Sequence, residues 1–243
     1  NLTSKNEYSK PIIPKVIHQI WEEKTTLPES FYQFSETWKE HHPSWEYILW
    51  NKLRMDSFIQ EYFPNYIPIL KKYKYDVQRW DVIRYLILYN FGGVYVDFDY
   101  ECLESFDNLL KDKNCCFGLE PEEHAKLFHK KIVISNAFIA IKAKHPFMKQ
   151  IIDKVKSSFS VSENKLTYVL ETTGPYMLTD LYEQYSAKEE ISLIPSETIS
   201  PLTKMDVIGY LNGEIEEIYI ENKISKAIAI HYFWGSWCLL FIL

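Results

Sequence analysis

An α/β sandwich around a largely parallel sheet is the fold class that this 243-residue sequence predicts, and three observations carry it. Short apolar runs of strand character alternate with longer stretches of helical period, the pattern of strands joined by helical crossovers. The apolar run Val82–Phe91 is stopped by Gly92 and Gly93 and leads at once into Val94–Asp99, so one helix–strand junction is legible residue by residue. Apolar residues make up 47% of the chain and aromatic residues 16%, enough to cover both faces of a sheet in a chain of this length.

Taken in order, Ile12–Trp21 reads as a buried first strand, with Pro14 near its start, where a missing amide is tolerated. His18 lies inside this apolar strand and is read as structural. Pro28 opens a helix that presents Phe31, Phe34 and Trp38 at helical spacing and is closed by Pro43. Trp45–Trp50 is the second strand. Helices are expected from about Leu53 to Tyr62 and, capped by Asp76, from Val77 to Asn90. Beyond the Asp-x-Asp strand, Cys115–Leu119 and Ile132–Ile141 read as strands, and His145–Phe159 and Pro175–Tyr185 as helices. No repeat and no Gly/Ser- or Pro-rich linker divides the chain, so residues 1–243 are expected to form one domain, with 1–11 a flexible lead and 238–243 an apolar end.

A net charge of -6 and a pI near 5.7 argue against nucleic-acid binding, as does the lack of basic residues interleaved with aromatics. Cys102, Cys115, Cys116 and Cys238 form no CxxC pair and read as reduced core residues, which favours a reducing compartment. No run of 18 apolar residues is present, and the amino terminus shows neither a signal-peptide pattern nor an initiator Met. The chain is therefore expected to be cytoplasmic and trimmed from a longer one. The run Cys238–Leu243 is apolar to its last residue, which reads as an element cut short or as a surface touching a membrane at its cytoplasmic face. Three arginines against 24 lysines is a compositional hint of an A+T-rich bacterial genome.

Chemistry concentrates around Asp97 and Asp99. On a strand, Val94, Val96 and Phe98 face one way and Tyr95, Asp97 and Asp99 the other, with the two carboxylates roughly 6 to 7 Å apart, an arrangement that can share a hard cation. By itself the triplet is equally a strand end entering a solvated loop. The preceding run Val82–Phe91 carries only Arg84 and Asn90 as strongly polar side chains and should be buried. A buried guanidinium needs a partner, and Asp81 stands at i, i+3 from Arg84. The pair is either a structural ion pair or part of a site; the cost of burying charge gives weight to the second.

The block Arg79–Asp99 resembles the signature of glycosyltransferase family 32, Pro14–Trp21 is similar to the family's first-strand signature, and His231-Tyr-Phe-Trp-Gly-Ser-Trp237 to its last. That family holds the yeast initiating α-1,6-mannosyltransferase and bacterial capsular and lipopolysaccharide transferases, and is related to the catalytic domains of large clostridial glucosylating toxins. The resemblance implies a GT-A fold, a Rossmann-like α/β/α sandwich. It also implies a UDP- or GDP-sugar donor, a divalent cation (Mn²⁺ or Mg²⁺), retention of anomeric configuration, and a glycan or lipid-linked saccharide as acceptor, with bacterial surface polysaccharide as the expected product. Carried over by position, Asp97 faces the donor ribose and the metal, Asp99 binds the metal, and Asp81 and Arg84 hold donor hydroxyls. His231 lies near metal and diphosphate, Ser236 and Trp237 close over the β-phosphate, and the first strand through Ile17, Gln19 and Trp21 borders the base.

Glu120 and Asn136 are candidates for the sugar or acceptor pocket, and equally for turn or strand-edge positions; Thr173-Gly174-Pro175 resembles an acceptor-side motif and equally a helix start. No residue is identifiable as a carboxylate nucleophile, which favours same-face attack by the acceptor hydroxyl. Three alternatives stand beside this reading: a toxin-like effector that glycosylates a protein, a non-catalytic nucleotide-sugar-binding relative, and a phosphatase of the haloacid dehalogenase type. The last usually has Thr or Val two residues after its second Asp, where this chain has Glu101.

Overall fold

The computed structural model describes residues 12–22 and 26–234. The expected lead 1–11, Ser236, Trp237, Cys238 and the apolar end lie outside the described residues. The strands are β1 (Val16–Ile20), β2 (Glu46–Trp50), β3 (Gly93–Val96), β4 (Tyr100–Cys102), β5 (Cys115–Leu119), β6 (Ile134–Ile141), β7 (Ser192–Ile194) and β8 (Ala229–His231). Between β1 and β3 run α1 (Glu29–His41), α2 (Lys52–Tyr62), α3 (Ile67–Lys72) and α4 (Asp76–Phe91). After β4 come α5 (Asp107–Leu110), α6 (Glu122–Leu127), α7 (Pro146–Lys154), α8 (Lys165–Thr172), α9 (Pro175–Gln184), α10 (Ser196–Ile199), α11 (Lys204–Leu211) and α12 (Glu217–Ile224).

Six strands form the central sheet in the order β2-β1-β3-β6-β5-β7, and β4 pairs with β8 in a separate two-stranded ribbon. Five of the six run the same way; β6 is antiparallel to both its neighbours. All residues of β3 and β6 are buried, as strands covered on both faces must be. Side-chain alternation sorts them into two cores. Tyr95, Ile139, Ile141, Cys115 and Phe117 join the layer under α2, α4, α7 and α9, while Val94, Val96, Phe138, Ala140 and Cys116 join the layer that holds Trp38 of α1 and Ile199 of α10. The expected α/β/α sandwich with a mostly parallel sheet is therefore what the chain forms. Cys102, Cys115 and Cys116 are free and buried, as core residues. Among the described residues no helix is long and apolar enough to cross a membrane.

Three local expectations are corrected. Asp76 is the first residue of α4 and ion-pairs with Arg79; the cap is Tyr75, whose N–H donates to Gln78 Oε1 at 3.1 Å. His145 stands just outside α7, its Nδ1 accepting from the Phe147 N–H at 3.1 Å, and that helix stops at Lys154. The Asp-x-Asp segment is not one strand: β3 ends at Val96, and Asp97–Tyr100 is a turn closed by the Tyr100 N–H on the Asp97 carbonyl at 3.2 Å. Asp97 and Asp99 thus converge through a turn and not through strand alternation.

Candidate active site

The site lies where β3 ends, at the carboxyl edge of the parallel strands, the usual ligand position in open α/β sheets. Two glycines make the approach. Gly93 has φ of 101°, and a Cβ there would lie 2.6 Å from the Val16 carbonyl oxygen, so only glycine lets β3 pass this close to β1. His18 holds the same crossing from below: it is fully buried, accepts from Trp50 Nε1–H on Nδ1 at 3.1 Å and donates from Nε2 to the Gly92 carbonyl at 2.9 Å. Burial lowers its pKa to about 4, so it is neutral and structural, as expected.

Arg84 stands at the centre of a buried network. Its Nη2 lies 3.0 Å from Asp97 Oδ1 and 3.4 Å from Asp81 Oδ1, its Nη1 donates to the Asn136 carbonyl at 2.5 Å, and its guanidinium lies 4.2 Å from the Tyr95 ring centroid. The i, i+3 pairing of Asp81 and Arg84 is therefore real, and Asp97 makes it a triad. Burial would lower the pKa of Arg84, but Asp97, Tyr95 and Asp81 together raise it, so it is a fixed cation. Asp81 takes hydrogen bonds from Asn136 Nδ2 at 2.9 Å and Thr173 Oγ1 at 2.8 Å, yet desolvation pushes it up to about 7. Asn136 and Thr173 are thus braces of Asp81, 8% and 0% exposed, which corrects their assignment to an open sugar or acceptor pocket. Tyr85 closes the network, donating to the Thr173 carbonyl at 2.6 Å.

The second half of the site comes from far along the chain. β8 pairs with β4 so that Tyr100 and His231 are opposite, their rings stacked 4.3 Å apart. This brings His231 Nε2 to 3.3 Å from Asp99 Oδ1. Phe233 has φ of 52°, the chain reverses, and the Trp234 N–H donates to Asp99 Oδ2 at 3.0 Å. Desolvation alone would raise Asp99, but the charge of His231, its hydrogen bond and the Trp234 N–H hold it below the usual carboxylate range. The reciprocal effect raises His231 against the pull of burial. Desolvation pushes Asp97 up, Arg84 pulls it back and the like charge of Asp99 adds to the rise; Tyr95 Oη–H donates to Asp97 Oδ1 at 2.7 Å.

Ligand atoms of Asp97, Asp99 and His231 all lie within 4.8 Å of one another, near the span of two metal–ligand bonds of about 2.1 Å. Two carboxylates and an imidazole suit a hard or borderline divalent ion, and His231 Nδ1 is buried without a partner among the described residues. The expected metal set is brought together and fits a cation. Trp21 also reaches the site: its ring meets Phe98, between the two aspartates, edge-on at 5.7 Å, and Phe31 at 5.9 Å. Ile17 and Gln19 do not border an open base site. Ile17 is 1% exposed in the core, and Gln19, fully buried, donates to the Val96 and Asp97 carbonyls at 3.4 and 3.3 Å and accepts from Tyr47 Oη–H at 2.5 Å, which holds the metal-site turn in place. Glu120, at the end of β5, is bound by His124 Nδ1 at 3.1 Å, and the His124 ring packs edge-on against Phe233, whose ring meets His231 at a tilt of 37°.

Sequence reasoning missed four contributors: Tyr95, the Trp234 amide, His124 and Tyr85. Only Tyr95 left a signal, since alternation already set it on the face of Asp97.

A pair of carboxylates and a histidine at the carboxyl edge of a mostly parallel sheet, backed by a buried arginine, is the arrangement expected of a GT-A fold. The family model described as "Glycosyltransferase sugar-binding region containing DXD motif" matches residues 28–116. Through this region the chain resembles the DXD-containing glycosyltransferases, the family-32-like group its motifs also resemble. Inositol phosphoceramide mannosyltransferase 2 of Schizosaccharomyces pombe is 32% identical over 185 residues, 76% of this chain and 50% of that protein. The initiation-specific alpha-1,6-mannosyltransferase of Candida albicans is 24% identical over 208 residues, 73% of this chain and 54% of that protein. The chain spans about half the length of the curated relatives it matches. Among solved structures, PaToxG glycosyltransferase aligns with a TM-score of 0.54 at 17% identity, over 88% of this chain and 84% of that one. The ligand-free glycosyltransferase domain of the YGT toxin gives 0.52 at 11%, over 76% and 80%. These two share the fold.

Proposed function

We propose that this chain transfers a hexose, mannose, from a nucleotide diphosphate sugar to a hydroxyl of a lipid-borne acceptor, with a divalent cation and retention of configuration. The observation that carries the reading is the convergence of Asp97, Asp99 and His231 beside a permanently charged Arg84. Asp97, Asp99 and His231 would hold the cation. When bound, Mn²⁺ or Mg²⁺ supplies Lewis-acid stabilisation of the charge that develops on the leaving diphosphate. Arg84 holds Asp97 in place and offsets its charge, Asp81 braces Arg84 from the buried side, and Trp21 offers an indole edge to the base. The acceptor hydroxyl attacks from the face the phosphate leaves, and the leaving phosphate oxygen takes its proton.

The acceptor assignment follows the relatives. By name, the fungal proteins act on inositol phosphoceramide or initiate α-1,6-mannosylation, which favours a lipid-borne polyol over the expected bacterial surface polysaccharide. The toxin neighbours share the fold and do not bear on the acceptor. The test is donor hydrolysis by the purified chain across GDP- and UDP-sugars with Mn²⁺ or Mg²⁺ and an EDTA control, since slow transfer to water needs no acceptor. Metal-dependent release of nucleotide from one mannose donor is expected, and Asp99→Asn should remove it. Release that is insensitive to EDTA and to Asp99→Asn would overturn the assignment.

A further inference from the structure

The carboxyl edge of the sheet carries a fourth carboxylate that neither the Arg84 network nor the Asp97–Asp99–His231 cluster uses. β5 runs parallel to β3, so Glu120, directly after β5, stands on the same edge as Asp97. Pairing with β6 slips on the way. Phe117 pairs with Ile139 but Leu119 with Ile134, so two steps on β5 answer five on β6. The surplus lies around Asn136, whose carbonyl accepts from Arg84, and a bulge beside a site re-aims the residues next to it. The ladder resumes with the Glu120 N–H on the Val133 carbonyl at 2.9 Å. Alternation then puts Glu120 on the face of Cys116, which is the face that carries Tyr100 of the β4–β8 ribbon. Its charge is felt there. Against the pull of burial, Asp99, Asp97 and then Glu120 raise the His231 pKa, so this carboxylate lies within electrostatic reach of the cluster.

Glu120 is held in one pose. Its Oε2 is bound by His124 Nδ1 at 3.1 Å, and His124 Nε2 accepts from the Lys204 N–H, at the start of α11, at 3.3 Å. That amide belongs to the first turn of a helix and has no intrahelical carbonyl to bind. Because Nε2 accepts, the ring proton is on Nδ1 and is donated to Glu120. The His124 ring lies edge-on against Phe233, which anchors the brace to the chain just after β8. The other oxygen, Oε1, has no partner among the described residues, and with the side chain 17% exposed it is not sealed from solvent. Asp81, by contrast, has both oxygens engaged, by Asn136, Arg84 and Thr173, and Asp97 and Asp99 belong to the cation cluster. Glu120 Oε1 is thus a fixed hydrogen-bond acceptor that opens beside that cluster.

We propose that Glu120 Oε1 accepts a hydrogen bond from the hydroxyl next to the attacking one, so that the acceptor is a vicinal diol, with His124 as the residue that positions the carboxylate. In same-face transfer the proton of the attacking hydroxyl goes to the leaving phosphate oxygen, so the hydroxyl that donates to Glu120 is its neighbour. A charge-assisted bond there fixes which oxygen attacks. The inference rests on the transferase reading, and the two fail separately. The purified chain is given a mannose donor and the divalent cation with cis-cyclohexane-1,2-diol and cyclohexanol in one vessel, acceptors that differ by the second hydroxyl. Both glycosides and the free hexose are quantified. The parent should favour the diol at least about tenfold. Glu120→Gln should bring the two glycosides near parity, because the His124 N–H keeps the amide oxygen and turns the NH₂ toward the diol. His124→Phe should lower the preference, and His124→Asn, whose amide N–H stands in for Nδ1–H, should restore it. A general loss of activity scales both glycosides alike and leaves their ratio where it was, and the His124 pair decides should Glu120→Gln not fold. A parent that releases hexose but forms neither glycoside or shows no preference for the diol would overturn the proposal. So would a Glu120→Gln variant that keeps the preference. A parent that releases no hexose overturns the transferase reading, and this inference with it.

Discussion

Arg84 is the residue on which the site's electrostatics turn, because its guanidinium is the counter-charge for Asp81 and Asp97 together. Removing it in Arg84→Ala leaves two carboxylates in a packed corner without their cation, and breaking a buried pair from one side costs about 3–5 kcal/mol. Urea unfolding should show a loss of that size together with loss of donor hydrolysis; a variant as stable as the parent would mean that water already reaches both acids. His18 acts on stability through protons. Its folded pKa of about 4 lies below the ordinary 6.5, so between these values the unfolded chain binds the extra proton. Its contribution is therefore intact above pH 6.5 and is lost as pH falls toward 4, by about 3 kcal/mol in all. The difference in urea midpoint between the parent and His18→Gln should change across that window and be flat above it. Both residues were legible in the sequence, each as a polar group inside an apolar run, yet the partners were not. Asn136, Thr173 and Gln19 meet Asp81 or the Asp97 backbone only through the packing of β6, the α8–α9 junction and β1, and no local pattern reports that.

At the scale of elements, the passage from α4 into β3 delivers the aspartates, and it depends on a backbone conformation closed to other residues. Gly93→Ala places a methyl 2.6 Å from the Val16 carbonyl oxygen in a φ of 101°. The expected destabilisation is at least about 2 kcal/mol, from the positive φ together with the clash. Gly213, with φ of 73° and nothing within 4 Å of the place a methyl would take, isolates the first contribution. Gly213→Ala should cost about 1 kcal/mol, and equal costs in the two variants would show that β1 yields to β3 freely. The long elements were readable because α1 and α2 bury one apolar stripe, while α4, β5 and β6 are apolar and buried nearly throughout. The short ones, β7, β8, α10 and α12, were not. Three or four residues hold no period, and α12 buries none of its side chains. The strand expected through Asp99 failed for a related reason: alternation describes where side chains would point, and the turn closed between Asp97 and Tyr100 is set by the pairing of β4 with β8.

For the molecule as a whole, the Asp97–Asp99–His231 cluster links the sheet to the β4–β8 ribbon, so a cation bound there as proposed should stabilise the entire cooperative unit. At a free-metal concentration a hundred times the dissociation constant the gain is about 2.7 kcal/mol, roughly 5–10 °C in Tm for a chain of this size. Mn²⁺ should raise the Tm of the parent by that amount and leave Asp99→Asn unmoved; an equal rise in both would place the ion elsewhere. The ribbon has a consequence in time. Asp97 and Asp99 leave the ribosome more than 130 residues before His231 and Trp234, the groups that complete their surroundings. Through that interval α4, β3 and their glycine junction already have partners to fold against, while the two acids wait with Arg84 as their neighbour. The cluster of Asp97, Asp99 and His231 is thus complete only once β8 has emerged, and a nascent or prematurely terminated chain that lacks β8 carries the Asp-x-Asp motif without it.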